Sequence, residues 1–476
     1  MNKILSASAA ATVALAIGFG AVAGANAQTL EEALSNAYRS NPEILAQRAG
    51  LRAVDEQLPR ALSQWRPTVT ASGNAGPARD SNATTATVFG ANGVSDRTTT
   101  YTDRRRTQAL ASLQATQPLY RGGRSTAELN RAEANVQAGR AQLSAIEQRV
   151  LLDGATAYIN LARELAVLEL NTNNVQVLQR QLEAARDRFQ VGEITRTDVS
   201  QAEARLAQAQ ATRTGSEGNV ATARAAYLRV VGSEAGRVAV PPLPSSLLPG
   251  SEEEARQLAM AANPTLVQAR FTHESSKHDV ALVEGEKLPT VALQADAIRS
   301  VEPAGSRGFR RDTVDVLLTV TVPIYQAGQP DARTREAKQV EGQRRTLVDV
   351  STRQVSDDAT RAWQQFQTAG AQIVSFREQI RSNEIALEGV TQEARVGSRT
   401  VLDVLNAEQE LLTSRVSLVQ SQRDQVLAAF QLLSATGRLS AKDLALPVEI
   451  YDPTVYTEAT RSRWIGTDIP GEPAKK

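Results

Sequence analysis

Two acids stand in matching places in the chain. Thr400-Val-Leu-Asp403 and Thr195-Arg-Thr-Asp198 both carry the T-x-x-D spacing of a capping box. In such a box the threonine oxygen accepts from the backbone N–H three residues on, and the acid reaches back to the threonine N–H. A carboxylate in a first turn also complements the helix dipole. Asp403 stands inside the apolar run of Val401, Leu402, Val404 and Leu405, which Leu411 and Leu412 resume. The chemistry on offer is charge placement and hydrogen bonding, not bond making. No phosphate loop or Ser-His-Asp set is visible. Cysteine is absent, and the two histidines, His273 and His278, are five apart, on different sides of a helix. They read as ordinary surface residues. The expectation is a protein with no catalytic residue, metal or cofactor.

Charge and composition narrow the class further. Lys+Arg number 53 and Asp+Glu 52, so there is no basic footprint and no nucleic-acid partner is expected. Aromatics are 4% of residues, low for a large globular enzyme core. Ala, Gln, Arg, Glu, Leu and Val dominate, the composition of long helices. The opening "MNKILSASAAATVALAIGFGAVAGANA" reads as a signal peptide, residues 1–27, with cleavage between Ala27 and Gln28. No Cys follows it, so no acyl anchor is expected. No later stretch offers about 18 uninterrupted apolar residues, so any membrane span must be built from something other than a helix.

The chain is written twice. Asn41-Pro42 returns as Asn263-Pro264, and Pro67-Thr-Val as Pro289-Thr-Val, both 222 positions on. Pro118 then returns as Pro323, Gly192 as Gly397, Asp198 as Asp403 and Gly232 as Gly437, all 205 positions on. The first copy therefore holds about 17 extra residues between Pro67 and Pro118. The expected organisation is a first repeat over 28–232, a Pro-rich linker at 233–250, a second repeat over 251–437 and a tail at 438–476. Strands are expected at about 66–76 and 107–117, flanking a polar loop at 77–106, and at about 289–300 and 312–322. The tail should lie along the outside of the body and end in disorder.

Each repeat reads helix, strand, strand, long helix, helix. "DTVDVLLTVTVP" places Val314, Val316, Leu318, Val320 and Val322 on one face and Thr313, Asp315, Leu317, Thr319 and Thr321 on the other. About ten alternating residues suit a tilted transmembrane strand, with lipid on one side and water on the other. Four strands cannot close a barrel, and an open edge is forbidden in lipid. The chain must oligomerise; two copies give eight strands and three give twelve, and only the wider barrel leaves a substantial lumen. After Pro118 and Pro323 the period becomes seven. Ala359, Phe366, Ile373, Ile380, Leu387 and Ala394 form one seam, and Leu161, Leu168, Val175, Leu182 and Phe189 the other. Each long helix turns at Val-Gly and returns as a shorter one.

The stretches "VGSRTVLDVLNAEQEL" (396–411) and "VGEITRTDVSQAEARL" (191–206), the repeated Asn-Pro and "QPLYRGGR" closely resemble the TolC family of outer-membrane channel proteins. The resemblance runs through nearly the whole mature chain. It implies a fold that is mainly α with a transmembrane β portion. Three chains would form a twelve-stranded β-barrel continuous with a long α-helical coiled-coil barrel. It implies an exit duct in the outer membrane of a Gram-negative bacterium, passing secreted protein (type I secretion) or drugs. The implied partners are two further copies of the chain, a periplasmic adaptor (membrane fusion protein), an inner-membrane ABC or RND-type transporter, and outer-membrane lipid. The tip turns Val191-Gly192 and Val396-Gly397 would meet the adaptor. Arg399 would be a gating residue, facing Thr197 and Asp198 across neighbouring hairpins. Asp403 would line the entrance as a ring of acids, with Asn406 where the best-known member has a second aspartate. Ala394 stands where that member has a gating tyrosine. The alternative is an exported coiled-coil scaffold or adhesin without a pore.

Overall fold

The structure, a computed structural model, describes residues 29–91, 93–302 and 308–470. The expected signal peptide with its Ala27–Gln28 cleavage point, and the end of the tail, lie outside the described residues. Each repeat opens with helices broken at Asn-Pro. α1 (Leu30–Ser40) stops before Asn41, and α2 (Pro42–Asp55) and α3 (Gln57–Leu62) follow. The break has two causes. Pro42 fits the first helical position, where no N–H is needed. Asn41 caps α2 by accepting from the Glu43 N–H at 2.9 Å. The second repeat later does the same at Asn263, between its own first two helices.

Two long strands follow, β1 (Thr68–Phe89) and β2 (Ser95–Arg121). The expected polar loop at 77–106 is therefore corrected: most of it is strand, paired without interruption from Thr68↔Thr116 to Phe89↔Ser95. Its threonines are β-branched and suit a pleated ribbon. Cross-strand partners bind it, Arg79 to Asp103 at 2.7 Å and Thr85 to Thr99 at 2.9 Å. Polarity alone does not mark a loop, because a ribbon with water on both sides is equally polar.

From β2 the chain passes into α4 (Arg124–Gln190), turns, and returns as α5 (Arg196–Val231). The second repeat runs α6 (Glu252–Ala262), α7 (Pro264–Glu284), β3 (Thr290–Val301), β4 (Arg310–Thr321), α8 (Gln329–Arg395) and α9 (Val401–Ala435). The strands form one antiparallel sheet in the order β1-β2-β3-β4. Its register builds two faces. Val69, Ala115, Ala295 and Val316 stand in one row, and Ala71, Leu113, Ala297 and Val314 in the next. The opposite face carries Thr70, Gln114, Asp296 and Asp315 in a row. Pairing of β2 with β3 stops at Ala109↔Val301, so the rest of β1 and β2 stands beyond the sheet as a two-stranded ribbon.

α4 and α8 each have 67 residues, on the order of 100 Å at 1.5 Å per residue. Each packs on shorter helices over its first part and on its returning helix beyond. Leu58 and Ala61 of α3 pack on Ala132 and Val136 near the start of α4. Leu266 of α7 packs on Val355 and Ala359 of α8. Farther along, α5 lies on α4 and α9 on α8, with Ala359, Ala362, Ala369 and Ile373 buried along the second seam. Midway sits the main core, where Leu34 and Tyr38 meet Leu151, Ile159, Leu161, Tyr227, Phe430 and Leu433. Each repeat ties its opening helices to its own returning helix by the same device. Asn41 Nδ2 donates to Val230 O at 3.1 Å, and Asn263 Nδ2 to Ala435 O at 3.0 Å.

The tail does not simply line the outside. Leu439, Ala441 and Leu446 are buried in the main core. Beyond them Arg39 donates to Pro447 O, and Tyr38 Oη accepts from the Tyr451 N–H at 3.2 Å. A last helix, α10 (Thr454–Arg461), packs on α2 and α3. Apolar residues without a period carry no sign of what they touch, so the burial was not readable. His273 also differs from a free surface residue: its Nε2 lies 2.7 Å from Glu341 Oε1 and its side chain is largely shielded.

Candidate functional site at the hairpin tips

Both helical hairpins end in the same turn. α4 gives way at Val191 and Gly192, and α8 at Val396 and Gly397. Gly192 and Gly397 both have φ of +79°, the left-handed conformation that a Cβ opposes. The N–H of Glu193 then donates to Arg188 O at 2.9 Å, and that of Ser398 to Glu393 O at 3.0 Å. These bonds satisfy carbonyls that a helix end leaves open. Val191 and Val396 are left 72% and 81% exposed, apolar side chains at the extreme end of the molecule.

The returning helices start with complete capping boxes. Thr195 N–H donates to Asp198 Oδ2 at 2.9 Å, and Asp198 N–H to Thr195 Oγ1 at 3.3 Å. Thr400 N–H donates to Asp403 Oδ2 at 3.0 Å, and Asp403 N–H to Thr400 Oγ1 at 3.2 Å. The Thr400 hydroxyl adds a third bond to Asp403 Oδ2 at 2.8 Å. The donors at Thr400, helped by the nearby Arg399 cation, hold the Asp403 carboxyl below the usual carboxylate range.

Arg399 takes a partner on its own hairpin. Its Nε donates to Glu393 Oε2 at 2.9 Å, and this acid, with Asp403 behind it, raises the guanidinium pKa. The single chain thus does not bring Arg399 onto Thr197 or Asp198; Asp198 is occupied by Thr195. Ala394 is buried in the hairpin, 6% exposed. Leu405 explains the apolar run around Asp403. It leaves its own hairpin and packs with Val175, Leu178, Leu182, Ala202 and Ala209 of the first. Asn406 follows it onto the same junction, where Arg205 Nη2 of α5 donates to Asn406 Oδ1 at 2.9 Å. Arg205 was missed in the sequence, where it stands in a run of small residues, "QAEARLAQAQA", that reads as close helix packing. A lone long cation in such a run was the available signal.

The chain resembles known proteins along nearly its full length. The profile described as "Outer membrane efflux protein" matches residues 33–233 and 255–438. The outer membrane efflux protein BepC of Brucella suis biovar 1 (strain 1330) is 34% identical over 443 residues, 93% of this chain and 92% of the relative. The outer membrane protein TolC of Escherichia coli (strain K12) is 24% identical over 440 residues, 88% of this chain and 84% of the relative. Among solved structures, the CmeC outer membrane channel of Campylobacter jejuni superposes with a TM-score of 0.73 at 14% identity, covering 91% of this chain and 89% of that one. That last likeness shows a shared fold. Together with the paired tips and the four-stranded sheet, the match across both repeats shows that the chain belongs to the outer membrane efflux protein family.

Proposed function

We propose that three copies of this chain form the outer-membrane exit duct of an envelope-spanning export system. The observation that carries the reading is the four-stranded sheet. One of its faces is an apolar band with Val314, Val316 and Leu318 exposed at 78%, 66% and 62%, and it leads directly into helices of 67 residues. A soluble scaffold would leave that band in water, where patches of this kind mark an interaction surface. β1 and β4 are the sheet's free edges. They run in opposite directions, so β4 of one copy can pair antiparallel with β1 of the next. Three copies close twelve strands, wide enough for a lumen, and the long helices continue the wall as a coiled-coil barrel through the periplasm.

In that assembly the hairpin tips are the inner end. Val191, Gly192, Val396 and Gly397 would dock a periplasmic adaptor, which links the duct to an inner-membrane ABC or RND-type transporter. Apolar side chains left exposed on a rigid turn mark a surface for such contact. Asp403 and Asn406 would line the entrance. Arg399 would exchange Glu393 for Thr197 or Asp198 of a neighbouring hairpin when the tip closes, through charge-assisted hydrogen bonds. The duct needs no catalysis, since the transporter supplies the energy. The proteases secretion protein PrtF of Dickeya chrysanthemi, 28% identical over 273 residues, favours protein among the cargoes.

The test is assembly and conduction. The purified chain should run as a heat-modifiable, SDS-resistant species with three times the chain mass by native mass spectrometry. It should conduct ions in planar bilayers. A monomer or dimer without conductance would refute the proposal. Comparing the secreted proteome and the drug susceptibility of a deletion strain separates the two cargo classes.

A further inference from the structure

Asn406 lies three residues after Asp403 on α9, about 5 Å along the axis on the same side of the helix. Glu410 follows four residues later on that side, exposed. Read from the tip upward, this column of α9 is acid, amide, acid. Arg205 enters it from α5 and meets the amide, not an acid, at 2.9 Å. A carboxylate at 406 would cancel the guanidinium charge. The neutral amide orients the group and leaves its charge standing between Asp403 and Glu410. Nearby, Glu203, two residues before Arg205, holds Arg186 at 2.7 Å, and Arg399 holds Glu393 at 2.9 Å; half-buried Glu408, two residues after Asn406, lies in the fields of Arg415 and Arg180.

We infer that Arg205 is a charge-selectivity residue of the entrance, placed by Asn406 so that the mouth is not purely acidic. The inference rests on the proposed duct, in which Asp403 and Asn406 face the lumen at its narrow end. In three copies the mouth then carries three guanidiniums interleaved with its carboxylates. An entrance of acids alone concentrates cations and repels anions. Arg205 reduces that bias and admits negatively charged solutes, such as anionic small molecules crossing the same opening.

The experiment is the reversal potential of the full-length protein in planar bilayers under a KCl gradient at low ionic strength. Removing one cation per chain from the mouth should raise the K⁺ to Cl⁻ permeability ratio about two- to fivefold. Arg205→Gln, which keeps a donor for Asn406, should show that rise and a stronger block by trivalent cations. Arg205→Lys, which keeps the charge, should stay near wild type; a merely structural role, met by the donor alone, would leave Arg205→Gln near wild type as well. Asp403→Asn should shift the ratio in the opposite direction. If Asp403→Asn shifts it and Arg205→Gln does not, the role of Arg205 is overturned while the duct stands. If neither moves it, the placement of both at the mouth is wrong and the inference falls with it.

Discussion

Thr400 and Asp403 hold each other by three hydrogen bonds at the start of α9, two of them donated to the single oxygen Oδ2 of Asp403. The bonds favour the carboxylate, so the folded pKa lies below the ordinary 3.8. The linkage follows in sign. Above 3.8 the acid is ionised in both states and the cap contributes its full stability. As pH falls through the lower, folded value, the proton enters the folded state too and the contribution is lost. Amide-exchange protection over residues 401–405 should therefore drop on acidification below 3.8 and be flat from there to neutrality. In Asp403→Asn the drop should vanish.

Leu405 is 2% exposed and joins the two hairpins near their tips. Leu405→Ala removes that contact and leaves a cavity, a loss of about 2–5 kcal/mol for a buried leucine. The site lies far from the main core, so the cost should be local. Hydrogen exchange should speed up in residues 175–209 and 401–409 and stay unchanged around Tyr227. A uniform change along the chain would show that the tip is not an independent unit.

The sheet makes a prediction by face. Val316→Arg would place a charge in the row Val69-Ala115-Ala295-Val316. On a lipid face this costs about 2–4 kcal/mol near the bilayer middle. The heat-modifiable assembled form should fall sharply. Thr319→Arg, on the other face of the same strand, should assemble as the wild type and alter only conductance. Equal loss in both would argue against lipid on one side.

Gly122 sits where β2 hands over to α4. It has φ of +64°, and a Cβ there would meet the Gly285 carbonyl oxygen and, at 2.8 Å, Leu288 Cβ. Its counterpart Gly285 faces the Gly122 oxygen, 2.5 Å from its own would-be Cβ. This pair lets the two repeats touch backbone to backbone at the junction of sheet and helices. Gly122→Ala should destabilise by about 1–3 kcal/mol. The check is the melting temperature of the assembled protein, with Gly123→Ala, which has open space around it, as a comparison for backbone strain alone.

These tests also mark what the sequence could reveal. Periodicity located the seams, because a heptad says which residues face a partner helix, and Ala359, Ile373 and Ala394 are buried accordingly. The T-x-x-D boxes were legible because a cap is a local structure made by neighbours in sequence. Arg205 with Asn406 was not, since the bond joins residues 201 positions apart on different helices. The same limit hid Glu393 as the partner of Arg399: the spacing of six across a glycine turn belongs to no helical rule. The polar ribbon of β1 and β2 was hidden for another reason, because composition separates water from oil and not strand from loop.

Equal helices make the molecule a levelling device. α4 and α8 have the same number of residues, and the 205-position spacing holds from Pro118 to Gly437. The two turns of one chain therefore finish at a common height, and copies arranged in a ring present a flat rim. Length differences between the repeats have been confined to the opposite end, in the ribbon. Three or four residues inserted into one long helix would raise one turn by about 5 Å and rotate it. A partner that must seat on every turn at once would then find an uneven ledge, even with each contact residue intact.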